Sequence, residues 1–190
     1  MTTAPDTEDR DLAARAAAGD ERAYTLLMRR HKDALYRFVR RYTGDSDEAY
    51  DILQETFAAA WSALARYDRD RSLPAWLRSI ALNKCRDWSR RRAVRGWLTR
   101  SDPLDGPSGM SLADSGPSPE TSLLDSQRLT RLDQAIARLP AGLKEPLLLT
   151  QFEGISQAEA GKLLGMSAKA VEVRVYRAKR ALAAAVEEGD

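Results

Sequence analysis

The sequence predicts an all-α protein: two small helical domains joined by a flexible linker, the C-terminal one containing a helix-turn-helix. Apolar residues recur at spacings of three and four in both halves, with no alternation of period two and few β-branched runs. Between the halves, SDPLDGPSGMSLADSGPSPETS (Ser101 to Ser122) sets Pro103, Pro107, Pro117 and Pro119 among glycines, a composition too broken for helix or strand. Near the C-terminus, a serine cap, a glycine and a second serine punctuate two short helical runs. In a chain of 190 residues this predicts an N-terminal domain (1–97), a linker (98–122) and a C-terminal domain (123–190).

The first half offers four helical segments, over Thr7–Ala18, Glu21–Tyr42, Ser46–Arg66 and Pro74–Arg95. In the third, Ala49, Ile52, Leu53, Thr56, Phe57, Ala60, Trp61 and Leu64 form one stripe that is expected to face the core. Asp51, Gln54 and Glu55 fall at i, i+3 and i+4 on another face, a compact acidic cluster whose simplest reading is a solvated surface. The fourth segment opens at Pro74, whose fixed φ suits a first helical turn. Trp76, Leu77, Ile80, Ala81, Cys85 and Trp88 make its inward row, while Asn83, Arg86, Asp87, Arg90 and Arg91 line the opposite side. Trp61, Tyr67, Trp76 and Trp88 lie near basic residues, an arrangement able to stack unpaired bases. Trp76 and Trp88 nevertheless sit on the apolar row, where packing is the expected role.

The second half reads as helices near Leu123–Leu139, Leu143–Glu153, Gln157–Leu164 and Ala168–Val186. Ser156 and Glu159 form a capping box that starts the third of these, Gly165 ends it, and Ser167 offers an oxygen to cap the fourth. A helix, a turn of about three residues and a second helix match a DNA-binding hairpin, with Val171 locking the second helix against the first. Such hairpins also serve as plain structure. The last helix divides into an inner row (Val171, Val175, Ala178, Leu182) and an outer row (Lys169, Glu172, Val173, Tyr176, Arg180), with Arg177 and Lys179 adding flanking charge suited to phosphates.

Composition narrows the function. The chain is 43% hydrophobic and 31% charged, ordinary values for a soluble protein, and no apolar run approaches the roughly 18 residues of a membrane span. The polar, acidic start (Met1 to Arg10) lacks a secretory pattern, which predicts a cytoplasmic chain. One cysteine (Cys85) and one histidine (His31) leave no material for a disulfide framework, a multi-thiolate metal site or a histidine-based triad. No carboxylate pair or activated nucleophile rises above background, so neither catalysis nor a cofactor or metal is expected. The net charge of +2 conceals segregation. Residues 1–65 carry nine bases against twelve acids, residues 66–100 eleven against three, residues 101–127 none against five, and residues 128–190 ten against eight. So local a basic excess suits phosphate neutralisation and counterion release, although a solvated basic helix has the same composition.

DILQETFAAAW (Asp51 to Trp61), WLRSIALNKCRDWSRRR (Trp76 to Arg92) and SQAEAGKLLGMSAKAVEVRVYRAKRAL (Ser156 to Leu182), in that order and spacing, resemble the extracytoplasmic-function (ECF) sigma factors of bacterial RNA polymerase. The resemblance covers most of residues 20–95 and 125–186. It implies a factor that binds core RNA polymerase, recognises promoter DNA and melts it without nucleotide hydrolysis. Asp51, Gln54 and Glu55 match the family's contact with a basic coiled coil of the largest polymerase subunit. Trp76, Asn83, Arg86, Asp87, Arg90 and Arg91 match the surface that captures a flipped base of the minus-ten element and holds the opened strand. Flipping costs on the order of a few kcal/mol, which that surface must return. Lys169, Glu172, Val173, Tyr176, Arg177 and Arg180 match the helix that reads the minus-thirty-five element.

The sequence departs from the family pattern where many relatives carry a basic residue at Glu172 and a small polar one at Val173. A glutamate can accept from a cytosine amino group and a valine can pack on a thymine methyl, whereas a structural pairing of Glu172 with Arg174 or Arg177 is the competing reading. Gly161 stands where alanine is commoner; it permits close helix approach and weakens the helix by up to about 1 kcal/mol. The resemblance also implies an anti-sigma factor as partner and a linker that threads toward the polymerase active centre. The rival readings are a helix-turn-helix regulator acting without polymerase, which leaves the Asp51 face and the tryptophan-rich basic helix without a role, and a sigma-like decoy, against which Asn83 and the intact basic face argue.

Overall fold

The computed structural model describes residues 4–69, 71–99 and 131–187. The described residues are helical with no strand, in two units. The first holds α1 (Ala4–Ala17), α2 (Glu21–Thr43), α3 (Ser46–Ala63), a single 3-10 turn (Leu64–Arg66) and α4 (Leu73–Thr99). The second holds α5 (131–138), α6 (Ala141–Leu147), a π turn (Leu148–Phe152), α7 (Gln157–Leu164) and α8 (Ala168–Glu187). The predicted linker lies outside the described residues apart from its first two, which continue α4; the predicted helix near Leu123–Leu139 is described only from residue 131 onward.

Aspartates set the helix starts of the first unit. The Asp20 carboxylate accepts from the Ala23 backbone N–H (3.0 Å) and caps α2, and Asp45 accepts from the N–H groups of Asp47 (2.9 Å) and Glu48 (3.0 Å) to cap α3. The core between the helices is filled by Phe38, Val39, Tyr42, Ile52, Leu73 and Leu82. Each such side chain contributes about 1.5–3 kcal/mol by leaving water. Buried Thr43 and Thr56 are hydrogen-bonded to main-chain carbonyls, whereas the Trp88 indole Nε1 is buried without a partner among the described residues. Buried Asp9 of α1 accepts from Arg30 Nη1 (2.7 Å) and bonds His31 Nε2 (2.9 Å), which ties α1 to α2. Burial holds the His31 imidazole below its ordinary value, against the pull of Asp9. Cys85 is fully buried, and burial pushes its thiol up, so it behaves as a small core residue.

In the second unit a single helix predicted over Leu143–Glu153 is instead α6 followed by the π turn. Pro146 is the cause. It has no N–H for the Gly142 carbonyl, which lies near Arg174 Nη1 of α8 (3.5 Å), and the next turn widens until Glu153 N–H donates to Leu148 O (3.2 Å). The hairpin follows the predicted boundaries closely. Ser156 and Glu159 cap each other's ends of the first turn of α7, Gly165 takes φ 68°, and Met166 N–H donates back to Gly161 O (2.9 Å). Gly161 is more constrained than expected, because a β-carbon there would stand 2.6 Å from the Met166 carbonyl oxygen. The turn closes over this position.

The units pack against each other. Buried Lys144 of α6 donates to the carbonyls of Tyr42 (2.9 Å) and Ala137 (2.6 Å) and lies over the Tyr42 ring (4.6 Å). Its burial holds the ammonium down at about 8. Gly44, between α2 and α3, faces α5 so closely that a β-carbon would meet Ala137 Cβ at 2.7 Å. Arg41 pairs with Asp133 (3.2 Å) and covers the Phe152 ring (4.4 Å).

Candidate polymerase and nucleic-acid interfaces

On α3, the inward stripe turns Asp51 and Gln54 outward, and both are exposed as expected. Thr56 can sit inside this stripe because its hydroxyl donates to Ile52 O (2.7 Å). Glu55 differs. It is half-buried, and its carboxylate lies between Lys84 (3.3 Å) and Arg91 (3.6 Å) of α4. The acidic cluster is thus two free groups and a third shared with the basic helix beside it.

Trp61, expected in the core, is 38% exposed. It lies at the edge of the stripe, where it tilts against the Tyr24 ring of α2 (centroids 4.7 Å apart) and covers the rim of the α2–α3 packing. With Met28, Tyr50, Leu53 and Phe57 it lines an apolar groove of about 570 Å³, with Gln54 on its border.

α4 carries the aromatic and basic residues. Leu73, Leu77, Ala81, Leu82, Cys85 and Trp88 are buried, and Leu82 joins the inward row that the sequence assigned without it. Trp88 packs as expected, with the Arg92 guanidinium 5.3 Å from its ring centre. Trp76 is only half-buried and packs on Tyr67, whose ring centre is 4.8 Å away. Asn83, Arg90 and Arg91 are exposed; Asp87 is half-buried and pairs with Arg90, one turn on. Arg86 has a different fate. Its Nε and Nη2 donate to Glu145 of α6 at 3.0 and 2.5 Å, and this bonding raises its guanidinium above the ordinary value. Two residues after Trp76, Arg78 donates through Nε alone to Glu153. No sequence signal singles out Arg78, Glu145 or Glu153, because their partners lie far along the chain.

On α8 the two predicted rows separate. Val171, Val175 and Ala178 are buried and Leu182 is half-buried, while Lys169, Glu172, Val173, Tyr176, Arg177 and Arg180 are exposed, Tyr176 by 63%. The first turn is capped by Ser167, whose oxygen accepts from Ala170 N–H (3.2 Å). Glu172 pairs with Lys169 (2.9 Å), one turn back, and not with Arg174 or Arg177. The reason is geometric: Lys169 shares the outer face at i−3, whereas Arg174 turns toward the Gly142 carbonyl. Among the described residues no group of His, Cys, Asp and Glu is placed to hold a metal ion, and no helix is long and apolar enough to cross a membrane.

A bundle with an exposed basic helix, coupled to a helix-turn-helix with an exposed outer row, is the architecture of a DNA-binding protein. Residues 27–95 match the family described as Sigma-70 region 2, and residues 129–182 match Sigma-70, region 4. Over 184 residues the chain is 40% identical to the RNA polymerase sigma factor CnrH of Cupriavidus metallidurans, covering 96% of each chain. It is 33% identical over 189 residues to the ECF RNA polymerase sigma factor SigF of Caulobacter vibrioides, covering 97% of this chain and 98% of that one. Among solved structures, CnrH in complex with the cytosolic domain of CnrY matches with a TM-score of 0.69 at 35% identity, covering 96% of this chain and 99% of that one. The sigma factor RpoE of Bartonella quintana, in complex with the anti-sigma factor NepR, shares the fold with a TM-score of 0.67 at 23% identity, covering 86% and 96%.

The chain therefore belongs to the ECF family of RNA polymerase sigma factors. It acts as such a factor, directing promoter-specific initiation by core RNA polymerase; both halves match sigma regions, which leaves no support for a regulator working without polymerase.

Proposed function

We propose that three faces divide the work of initiation. Asp51 and Gln54, with Glu55 beside them, dock on the basic coiled coil of core polymerase. Trp76, Asn83, Arg86, Asp87, Arg90 and Arg91 form the minus-ten surface: Asn83 donates and accepts at a base edge, Trp76 offers a ring, and the arginines hold phosphates. Lys169, Glu172, Val173, Tyr176, Arg177 and Arg180 enter the major groove at the minus-thirty-five element. Residues 1–97 and 123–190 are the domains that carry these faces, and residues 98–122 the linker between them. The carrying observation is that the outer row of α8 and the end of α4 are both exposed, on helices whose opposite rows are buried.

The solved relatives CnrH and RpoE are complexes with the cytosolic domain of CnrY and with the anti-sigma factor NepR. By that likeness this chain takes an anti-sigma factor, works in the cytoplasm and performs no catalysis of its own. The acids of residues 101–127 enter the polymerase channel until the transcript displaces them.

Transcription from a promoter library by core polymerase with the purified chain tests the whole reading. Start-site-specific initiation is expected. Asp51→Arg should lower core binding without altering promoter choice, and Asn83→Ala should slow melting on duplex templates while sparing pre-opened ones. Tyr176→Ala should weaken dependence on the upstream element alone. Promoter choice insensitive to every α8 substitution would overturn the assignment of that helix.

A further inference from the structure

The second unit meets α4 through carboxylates. Glu145 accepts two hydrogen bonds from Arg86, and its side chain is 8% exposed. Glu153 accepts from Arg78, and its side chain is 6% exposed. Both acids come from the segment that Pro146 reshapes: Glu145 immediately before the proline, Glu153 at the exit of the π turn. Neighbours hold Glu145 in place. The Tyr42 hydroxyl donates to it (3.3 Å), and Lys144 next to it is fixed on the Tyr42 and Ala137 carbonyls.

A carboxylate and a phosphodiester offer a guanidinium the same thing, two anionic oxygens in fork geometry. Arg86 spends its Nε–Nη2 edge on Glu145 and Arg78 its Nε on Glu153, so a phosphate can take those donors only by displacing a carboxylate whose charge also repels it. We propose that the C-terminal unit is a built-in competitor for the melted strand: in the closed chain Glu145 and Glu153 occupy Arg86 and Arg78, and single-stranded DNA gains these arginines only as the two units separate. This rests on the reading of α4 as the minus-ten surface. It adds Arg78 to that surface, on the helix between Trp76 and Asn83.

The exchange is close to balanced. Largely buried ion pairs lose in hydration much of what they gain in attraction, so exchanging these carboxylates for phosphates involves a small net difference in free energy. Arg90 and Arg91, paired only at the exposed surface with Asp87 and Glu55, remain open to solvent at the far end of the row. They give the strand a first foothold while the latch is shut.

The test uses the full chain with fluorophores at Asp47 and Lys162, both exposed and on different units, and a labelled mixed-sequence single-stranded 12-mer as probe. The double variant Glu145→Gln/Glu153→Gln should lower energy transfer between the units and tighten 12-mer binding by roughly tenfold at low salt. Asp11→Asn/Asp33→Asn makes the same change in net charge at exposed sites away from α4 and should do neither. Unchanged energy transfer in the glutamate variant, or a gain in affinity no larger than that of the charge control, overturns the competitor. A separate assay with core polymerase distinguishes failure of the underlying reading. If Arg78→Gln/Arg86→Gln initiates from its promoters as well as the native factor does, the arginines hold no promoter phosphate.

Discussion

The two units expose a polar helix face by opposite routes. In the first, the basic face of α4 is shaped by its neighbours: Glu55 of α3 draws in Lys84 and Arg91, Glu145 takes Arg86, and the end of the row stays exposed. In the second, α8 is set by its own sequence. Ser156, Gly165 and Ser167 fix the hairpin, three inward side chains bury one row, and the outer row is exposed. Tertiary contact defines one surface and local chemistry the other. Damage to the two should therefore look different.

The largest effect is expected in the first unit. Phe38→Ala removes a fully buried ring between the helices and should cost about 3–5 kcal/mol. All four tryptophans lie in residues 1–97, so tryptophan fluorescence in urea reads this loss directly. A small shift would mean that the N-terminal helices depend less on a shared core than their burial indicates. Next comes Gly161→Val, whose β-carbon meets the Met166 carbonyl; it should destabilise the hairpin by about 1–3 kcal/mol. Circular dichroism should report that loss while the tryptophan transition stays in place. If the two signals move together, the units unfold as one and the contrast between them fails. Ser156→Ala removes the cap of α7 at a cost of about 1 kcal/mol, again confined to the second unit.

The smallest expected effect concerns pH. His31 faces Asp9, Arg30 and Arg78, and burial keeps its folded value below the 6.5 of the free side chain. Between those two values the unfolded chain binds the proton and the folded chain does not, so stability is full above pH 6.5 and falls as pH drops below it. Replacing His31 with Gln should remove that part of the slope. Urea midpoints of the two proteins at pH 7 and pH 5.5 give the comparison, and equal slopes would place the histidine outside the pH response.

Legibility in the sequence follows the same division. The bounds of α7 and the start of α8 follow from a capping box, a glycine and a serine, signals that act within four residues. The inward row of α3 is legible from periodicity through to Leu64 except at Trp61, where periodicity assigns a face but not how deep a neighbour lets the side chain go. The break after α6 was hidden although Pro146 was visible, because an apolar run on both sides reads as one helix until the missing N–H is traced to the Gly142 carbonyl. Arg41–Asp133, Arg78–Glu153 and Arg86–Glu145 were out of reach. Each joins residues far apart in the chain, and local pattern carries nothing about which carboxylate meets which arginine.

The outer row of α8 has a consequence for descent. Lys169 and Glu172 satisfy each other within one turn, and Val173, Tyr176 and Arg180 reach into solvent while Val171, Val175 and Ala178 hold the helix from the other side. Exchanging an outer residue therefore leaves the packing that places the helix untouched. With α8 in the promoter-reading role proposed for it, promoter preference in this lineage can drift one side chain at a time, each intermediate still a folded factor.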